Sequence, residues 1–384
     1  VLGTPDVAAL WVASTIARLP IGINGLAIVL AMRHETGSFA AAGGAAGAYA
    51  LTLGIGSPVQ GRLLDRLGPR RVLPPMVGAH ALVLVVFVAL LGHAPAAVLI
   101  VLAGVMGLGL PPWSSILRAM WPRLLVDDEL VTTAFALDAA IVEVVFVLGP
   151  LLVAVAVSVA SARLALLISA VLALVGTAML LGSAAVRAWE SELGGGRDVF
   201  GALRSRGLLT VVIATLPVGF GLGAIEIALP AFATAHGTPG RAGLFIAVWA
   251  VGSGTGAILY GARIWHGPLA RRWLTCAGLL GGALLLPLAA PTALVLLVVL
   301  LPTGAFIGPT ITSGSQLMGR LAPPGMSTEA YAWSTTAIVV GAAAGSAIAG
   351  VLVEASGWRA AVAAAAATAL AGAGLGFLRR GTLT

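Results

Sequence analysis

Gly61-Arg62-Leu63-Leu64-Asp65-Arg66-Leu67-Gly68-Pro69-Arg70-Arg71 is a burst of charge between two long apolar segments. Gly61 carries no side chain, so a second helix can come close there. Asp65 follows one helical turn later, where its carboxylate can accept bonds from the bare N–H groups at the start of a facing helix. Gly68-Pro69 forces a turn. Arg66, Arg70 and Arg71 then hold that turn in the cytoplasm, the side on which basic residues accumulate beside membrane spans. Any short basic loop would fix topology; the spaced Gly, Asp and Gly are an extra requirement, which a contact partner explains.

Composition sets the solvent. The 384 residues are 59% hydrophobic and only 9% charged, with a mean hydropathy of +1.07. A soluble domain cannot keep that much apolar surface from water, so the chain is read as an all-α integral membrane protein. All 21 basic residues are arginine, and the net charge of +7 suits an anionic membrane surface; no basic patch with interleaved aromatics suggests nucleic acid. The absence of lysine excludes a Walker motif and with it an ATP-driven pump on this chain. Cys276 stands alone in an apolar run, and His34, His80, His93, His236 and His266 are scattered singly. No metal site, cofactor or enzymatic nucleophile–base cluster is therefore expected. His80 is read as packing.

Twelve segments are long enough to cross about 30 Å of hydrocarbon at ~1.5 Å per residue. They run over 7–32, 39–64, 72–91, 96–118, 131–157 and 162–186, then 208–233, 242–263, 273–289, 293–318, 328–353 and 358–378. The polar stretch around Gly194, Gly195 and Gly196 separates two groups of six. The expected organisation is a bundle over 1–187, a cytoplasmic linker over 188–207 and a second bundle over 208–384. With the N-terminus inside, 16 of the 21 arginines fall on cytoplasmic ends, so both termini are expected in the cytoplasm of a multi-pass plasma or inner membrane protein. An odd number of spans would spoil that alternation.

The chain also repeats itself. Leu19-Pro20-Ile21-Gly22 in the first span returns as Leu216-Pro217-Val218-Gly219 in the seventh, and Pro112 in the fourth returns as Pro309 in the tenth, both displaced by 197 residues. Gly61, Gly68, Pro69, Arg70 and Arg71 are echoed by Gly261, Gly267, Pro268, Arg271 and Arg272, with Trp265 in place of the acid. The two halves read as parallel copies.

With these features in view, the stretch resembles the cytoplasmic signature loop of the major facilitator superfamily. There a Gly, an Asp four residues on, a basic residue, a Gly and a basic pair join the second and third membrane helices. The matching positions are Gly61, Asp65, Arg66, Gly68, Arg70 and Arg71. The resemblance implies two parallel six-helix pseudo-repeats around a central cavity lined by the first, fourth, seventh and tenth helices. It also implies alternating access, with the second helix meeting the eleventh across the halves and Asp65 facing the chain near Thr328. Arg66 is expected to meet Asp127, Asp128 or Glu129. The glycine rows Gly43/Gly47, Gly252/Gly256 and Gly341/Gly345 are read as close helix contacts. Gly149-Pro150 resembles the core of a motif of the family's antiporters, although Val145 and Val153 stand where further glycines would be.

Charges inside spans are the sharpest functional signal, since each costs about 2.5–3.5 kcal/mol on an insertion scale unless it finds a partner or water. Arg18 lies ~17 Å into the first span, and Glu143 lies at similar depth in the fifth, so the two are expected to pair. Glu226 lies deeper in the seventh span. Asp138 is five residues before Glu143, about 140° round the helix, and cannot share its face. Proton coupling through Glu143, Arg18, Glu226 and Asp138 competes with plain ion pairing that fixes helix register. Asn24, Trp113, Ser114, Trp249, Thr310 and Trp333 are the expected substrate contacts. The reading is a monomeric secondary transporter of a small organic solute, resembling bacterial drug/proton antiporters. Proton-coupled export of an amphipathic compound is favoured because an acid in low dielectric can take a proton on one side and release it on the other. Uptake of a polar metabolite, by proton coupling or by facilitated diffusion, stays open beside it.

Overall fold

Long runs of Ala, Leu and Val, with backbone groups that hydrocarbon cannot satisfy, leave the helix as the available solution for each span. The computed structural model describes residues 5–36, 39–125, 127–187, 189, 201–238 and 241–383, and all its regular structure is helical. In chain order the helices are α1 (Pro5–Thr36), α2 (Phe39–Leu67), α3 (Pro69–Leu90), α4 (Ala96–Gly109), α5 (Trp113–Leu124), α6 (Asp128–Val159), α7 (Ala162–Gly182) and α8 (Ala184–Arg187). They continue with α9 (Arg206–Ala235), α10 (Ala242–Gly261), α11 (Leu269–Ala283), α12 (Ala293–Ala305), α13 (Ile307–Leu321), α14 (Ser327–Ser356) and α15 (Trp358–Leu378).

The expected spans are all present; the fourth and tenth are broken near their middles, while the sixth and ninth end in a short separate turn, 184–187 and 286–289. Pro111 and Pro112 divide the fourth into α4 and α5, and Pro309 lies just past the break at Phe306 that divides the tenth into α12 and α13. Proline has no N–H for the carbonyl four residues back and its ring crowds that carbonyl. Pro20, Pro217 and Pro230, by contrast, lie inside unbroken helices. Among the described residues eleven segments are long and apolar enough to cross a membrane. The twelfth expected span is α2, 29 residues long. The expected linker over 188–207 lies mostly outside the described residues.

Contacts group the chain into two compact units that do not follow the order of the chain. The first holds 1–124 and 144–201 together with 324–332, and the second holds 125–143, 202–323 and 333–384. Each half of the chain thus lends a short segment to the other's unit. Within the first unit α1 packs on α7, α2 on α4, and α3 on both α4 and α7. Within the second, α9 packs on α15, α10 on α12, and α11 on α15. These are the same pairs six spans on, as two parallel copies require.

Small residues make the pairs possible. A Cβ added at Gly176 would lie 2.5 Å from Ala17 Cα, and one at Gly372 would lie 2.5 Å from Ala214 O. Ala17 and Ala214 are themselves 197 residues apart. Gly107 and Gly304, another such pair, press on the carbonyls of Tyr49 and Trp249. In lipid, helix association rests on this close van der Waals contact rather than on expulsion of water. The glycine rows work within the halves: Gly252 and Gly256 meet Leu301 and Ala305, and Gly341 and Gly345 meet Leu216 and Phe220. Among the described residues nothing lies within 4 Å of an added Cβ at Gly47, so the contact expected there is not made among them.

Each unit has its own apolar core, around Ile23, Phe87, Met106 and Leu166 in the first and around Ile225, Phe232, Leu296 and Trp358 in the second. Outward-facing positions such as Ile55, Val101, Val171, Leu259, Val298 and Val351 are exposed and apolar, a surface suited to lipid rather than water.

Candidate functional site

The stretch around Asp65 is built into a contact in the first unit. Asp65 is buried, and its two carboxylate oxygens accept the backbone N–H groups of Thr328 and Glu329 at 3.1 and 3.0 Å. These are the second and third residues of α14, where N–H groups have no partner in their own helix. The anion also opposes the positive end of the α14 dipole. Gly61 makes room: an added Cβ would lie 2.9 Å from Thr328 O and 3.0 Å from Glu329 Cα. Gly68, at φ 76°, terminates α2 and precedes Pro69, the first residue of α3. That backbone angle favours glycine, and a fixed φ suits a first helical residue.

The basic partner in this contact differs from the one expected. Arg66 is exposed, as are Arg70 and Arg71. Arg62 is buried instead; its guanidinium donates to Gly325 O at 3.1 Å and lies 3.7 Å from the Glu329 carboxylate. Helix α2 continues to Leu67, and Arg62 and Arg66 are one turn apart on it, only about 40° in phase but ~6 Å along the axis. Arg62 lies level with Gly325 and Glu329, and Arg66 lies one turn nearer the end of the helix, beyond their reach. Asp128, one expected partner of Arg66, pairs with Arg320 at 3.0 Å.

The second unit holds the decayed copy of this contact. Thr133, near the start of α6, donates to Gly261 O at 3.0 Å, and a Cβ at Gly261 would strike Ala136. Gln316 donates to Thr132 at 2.7 Å. No acid is available from the loop, since Trp265 stacks on Tyr260 and donates to its carbonyl at 2.8 Å. The start of α6 carries Asp128 and Glu129 itself, so its dipole has anions of its own.

Among the intramembrane charges, Glu143 accepts from Ser253 of α10 at 2.7 Å and lies close enough to Glu226 of α9 for the two charges to interact. Sequence reading missed Ser253, because a lone serine in an apolar helix carries no spacing signal. Arg18 is buried in α1 of the first unit, Asp138 is buried in α6 of the second, and Glu226 is exposed. His80 shares a hydrogen bond of 2.9 Å with Met106 O, tying α3 to α4, which suits its packing role.

The expected substrate contacts scatter. Asn24 is fully buried, donates to Tyr49 at 3.1 Å and accepts from Ser169 at 2.6 Å. Its amide is engaged on both sides in joining α1, α2 and α7. Trp113 is buried at the start of α5 beside half-buried Ser114, and Trp249 is buried in α10; neither indole N–H has a partner among the described residues. Trp333 is half-buried in α14. Thr310 lines a cavity of ≈ 20 Å³ inside the second unit, with Thr215, Trp273 and Ser334 around it.

Comparison with known proteins places this geometry. The family model described as Major Facilitator Superfamily matches residues 10–292 and 211–382. The fold is similar to that of the human organic anion transporter MFSD10 (TETRAN), with a TM-score of 0.77 and 16% identity over 97% of this chain and 99% of that one. A bacterial homologue of the iron transporter ferroportin in an outward-facing state gives 0.79 and 15% over 98% and 99%. The fucose:proton symporter FucP of E. coli gives 0.72 and 14% over 97% and 99%. At these identities the likeness is one of fold. No curated protein matches by sequence.

Proposed function

The chain belongs to the Major Facilitator Superfamily and is a membrane transporter rather than an enzyme, and from that premise we propose that it exports a small amphipathic solute in exchange for protons. The observation that supports coupling is the bond from Ser253 to Glu143, which joins α10 to α6 at membrane depth, with Glu226 of α9 near enough to feel the charge of Glu143. Two carboxyls within reach of each other's charge form the kind of acid chain that carries protons through pumps and transporters. A hydroxyl partner orients Glu143 without neutralising it. Arg18 and Asp138, both buried, remain in the coupling set as charges whose surroundings change during the cycle.

The contact of Asp65 and Arg62 with the start of α14 is the lock of the transport cycle in this reading. It joins segments from the two halves of the chain on the arginine-rich side, which we place in the cytoplasm with both termini. Access from that side requires it to break. Its energy therefore biases the carrier toward the state in which it is made.

The test is transport in proteoliposomes with an imposed pH gradient. Glu143→Gln should abolish the response to the gradient while leaving solute exchange intact, because Gln keeps the bond to Ser253 but cannot bind and release a proton. Full proton-driven accumulation by this variant would exclude Glu143 as the coupling acid and pass the role to Glu226.

A further inference from the structure

The break in the fourth span removes particular backbone bonds. Pro111 and Pro112 lack the N–H groups that would bond Gly107 O and Leu108 O in a continuous helix. Leu110 N–H turns to Gly107 O at 3.4 Å, which leaves Met106 O, its partner in a continuous helix, open in turn. Two carbonyls at membrane depth, Met106 O and Leu108 O, therefore need donors from outside α4.

Each receives one. Gln60 of α2 donates through Nε2 to Leu108 O, and His80 of α3 meets Met106 O through Nδ1 at 2.9 Å. A carbonyl only accepts, so this ring nitrogen carries the hydrogen. Both side chains are buried, and their other polar atoms, Gln60 Oε1 and His80 Nε2, have no partner among the described residues. A buried amide or imidazole is costly where packing is its only use, and the carbonyl bond is what each gains here. Small residues admit the two helices: a Cβ added at Gly109 would lie 3.2 Å from His80 Cα, and one at Gly56 would lie 2.9 Å from Leu108 Cδ2.

The second copy provides a comparison within the chain. Displaced by 197 residues, Pro111 becomes Gly308, and Gln60 and His80 become Ala257 and Ala277. Pro309, which matches Pro112, leaves Ala305 O without an N–H from its own helix, and Gly256 packs against that oxygen. Donor side chains thus stand beside the break that has a pair of prolines and are absent from the matching positions beside the break that has one.

We propose that Gln60 and His80 are positioning residues of the carrier, standing in for two missing backbone donors and fixing the angle at which α5 leaves α4. Helix α5 carries Trp113, Ser114 and Arg118, so that angle sets where these side chains lie. The role is independent of the solute, the direction of transport and the coupling ion.

The experiment is pulsed EPR on full-length Cys276→Ala protein in liposomes, without solute or pH gradient, so its result is separate from the test of proton coupling. Spin-label pairs at Leu124/Leu63 and Leu124/Met179 join the exposed end of α5 to outward positions on α2 and α7. At ~1.5 Å per residue α5 is ~18 Å long, and a swing of ~20° moves its end by ~6 Å. With Gln60 and His80 in place, each pair should give one narrow distance. Gln60→Leu and His80→Leu should each shift or broaden at least one pair by ~3 Å or more. Rescue should follow the prolines. Pro112→Ala returns an N–H to Leu108 O and should restore a narrow distance to Gln60→Leu. Pro111→Ala returns one to Gly107 O, frees Leu110 N–H for Met106 O, and should do the same for His80→Leu. The crossed variants, Gln60→Leu/Pro111→Ala and His80→Leu/Pro112→Ala, should stay broad. Unchanged distances in either single variant would overturn the proposal, as would rescue by both prolines alike or by neither. Should a single variant not fold, the yield of folded protein in the matched and crossed double variants takes the place of the distance, and equal yields would overturn it.

Discussion

Asp65→Asn is the most direct test of the lock. The substitution keeps the size of the side chain but removes its charge and turns one acceptor into an NH2 donor. With Thr328 N and Glu329 N at 3.1 and 3.0 Å, one of these buried donors would then face another donor. Leaving a buried N–H unpaired costs about 1–3 kcal/mol. Loss of an anion at a partly buried helix start costs a further ~0.3–2 kcal/mol. Relief from burying a carboxylate offsets part of this. A net of about 2 kcal/mol moves the equilibrium between the locked and separated arrangements roughly 30-fold. Spin labels report that shift. The single Cys276 can be replaced by Ala, and cysteines introduced at Arg70 and Pro324, both exposed, can be labelled for pulsed-EPR distances. The wild type should show a dominant short distance, and Asp65→Asn a growing longer one, with slower transport and unchanged yield of folded protein. An identical distance distribution together with an identical transport rate would refute the lock.

The remaining predictions use the same protein. Arg62→Ala removes the guanidinium that donates to Gly325 O and faces buried Glu329, and should favour the separated arrangement by about 1–3 kcal/mol, whereas Arg66→Ala should change it by less than ~0.5 kcal/mol; equal effects in the EPR assay would return Arg66 to the contact. Asn24→Leu should lower the melting temperature, at a cost of about 2 kcal/mol for the lost bonds to Tyr49 and Ser169, without altering solute affinity. A variant with weakened affinity and normal stability would instead make Asn24 a substrate ligand. Gly176→Ala, whose Cβ would meet Ala17, should destabilise by about 1–3 kcal/mol, while Gly278→Ala, with nothing within 4 Å, should be neutral or stabilising by up to ~1 kcal/mol in thermal unfolding.

The contrast between Arg62 and Arg66 shows where sequence reading stopped. Both lie in one short charged run, one helical turn apart on one face, and residue type does not distinguish them; the height at which α2 meets the start of α14 does. Asn24 illustrates the same limit, since a polar residue in a presumed cavity helix looks like a ligand until its partners Tyr49 and Ser169, 25 and 145 residues away, are known. Ser253 was invisible for the converse reason: its meaning comes entirely from Glu143, 110 residues earlier.

What the sequence determined by itself was what depends on solvent and local chemistry. Apolar length required helices that cross a bilayer, and the 197-residue echo made the halves copies. Gly61 and Asp65 could be read as well, because a missing side chain and a well-placed acceptor have few other uses. Tertiary structure alone decided which face of each helix meets a neighbour and at what height along it, and therefore that Arg62 rather than Arg66 is buried and that the second copy keeps a cavity at Thr215 and Thr310. The physical reason is that side-chain direction on a helix advances about 100° per residue. Contacts between distant segments depend on the relative rotation of two helices, and that rotation is set by packing over their whole length.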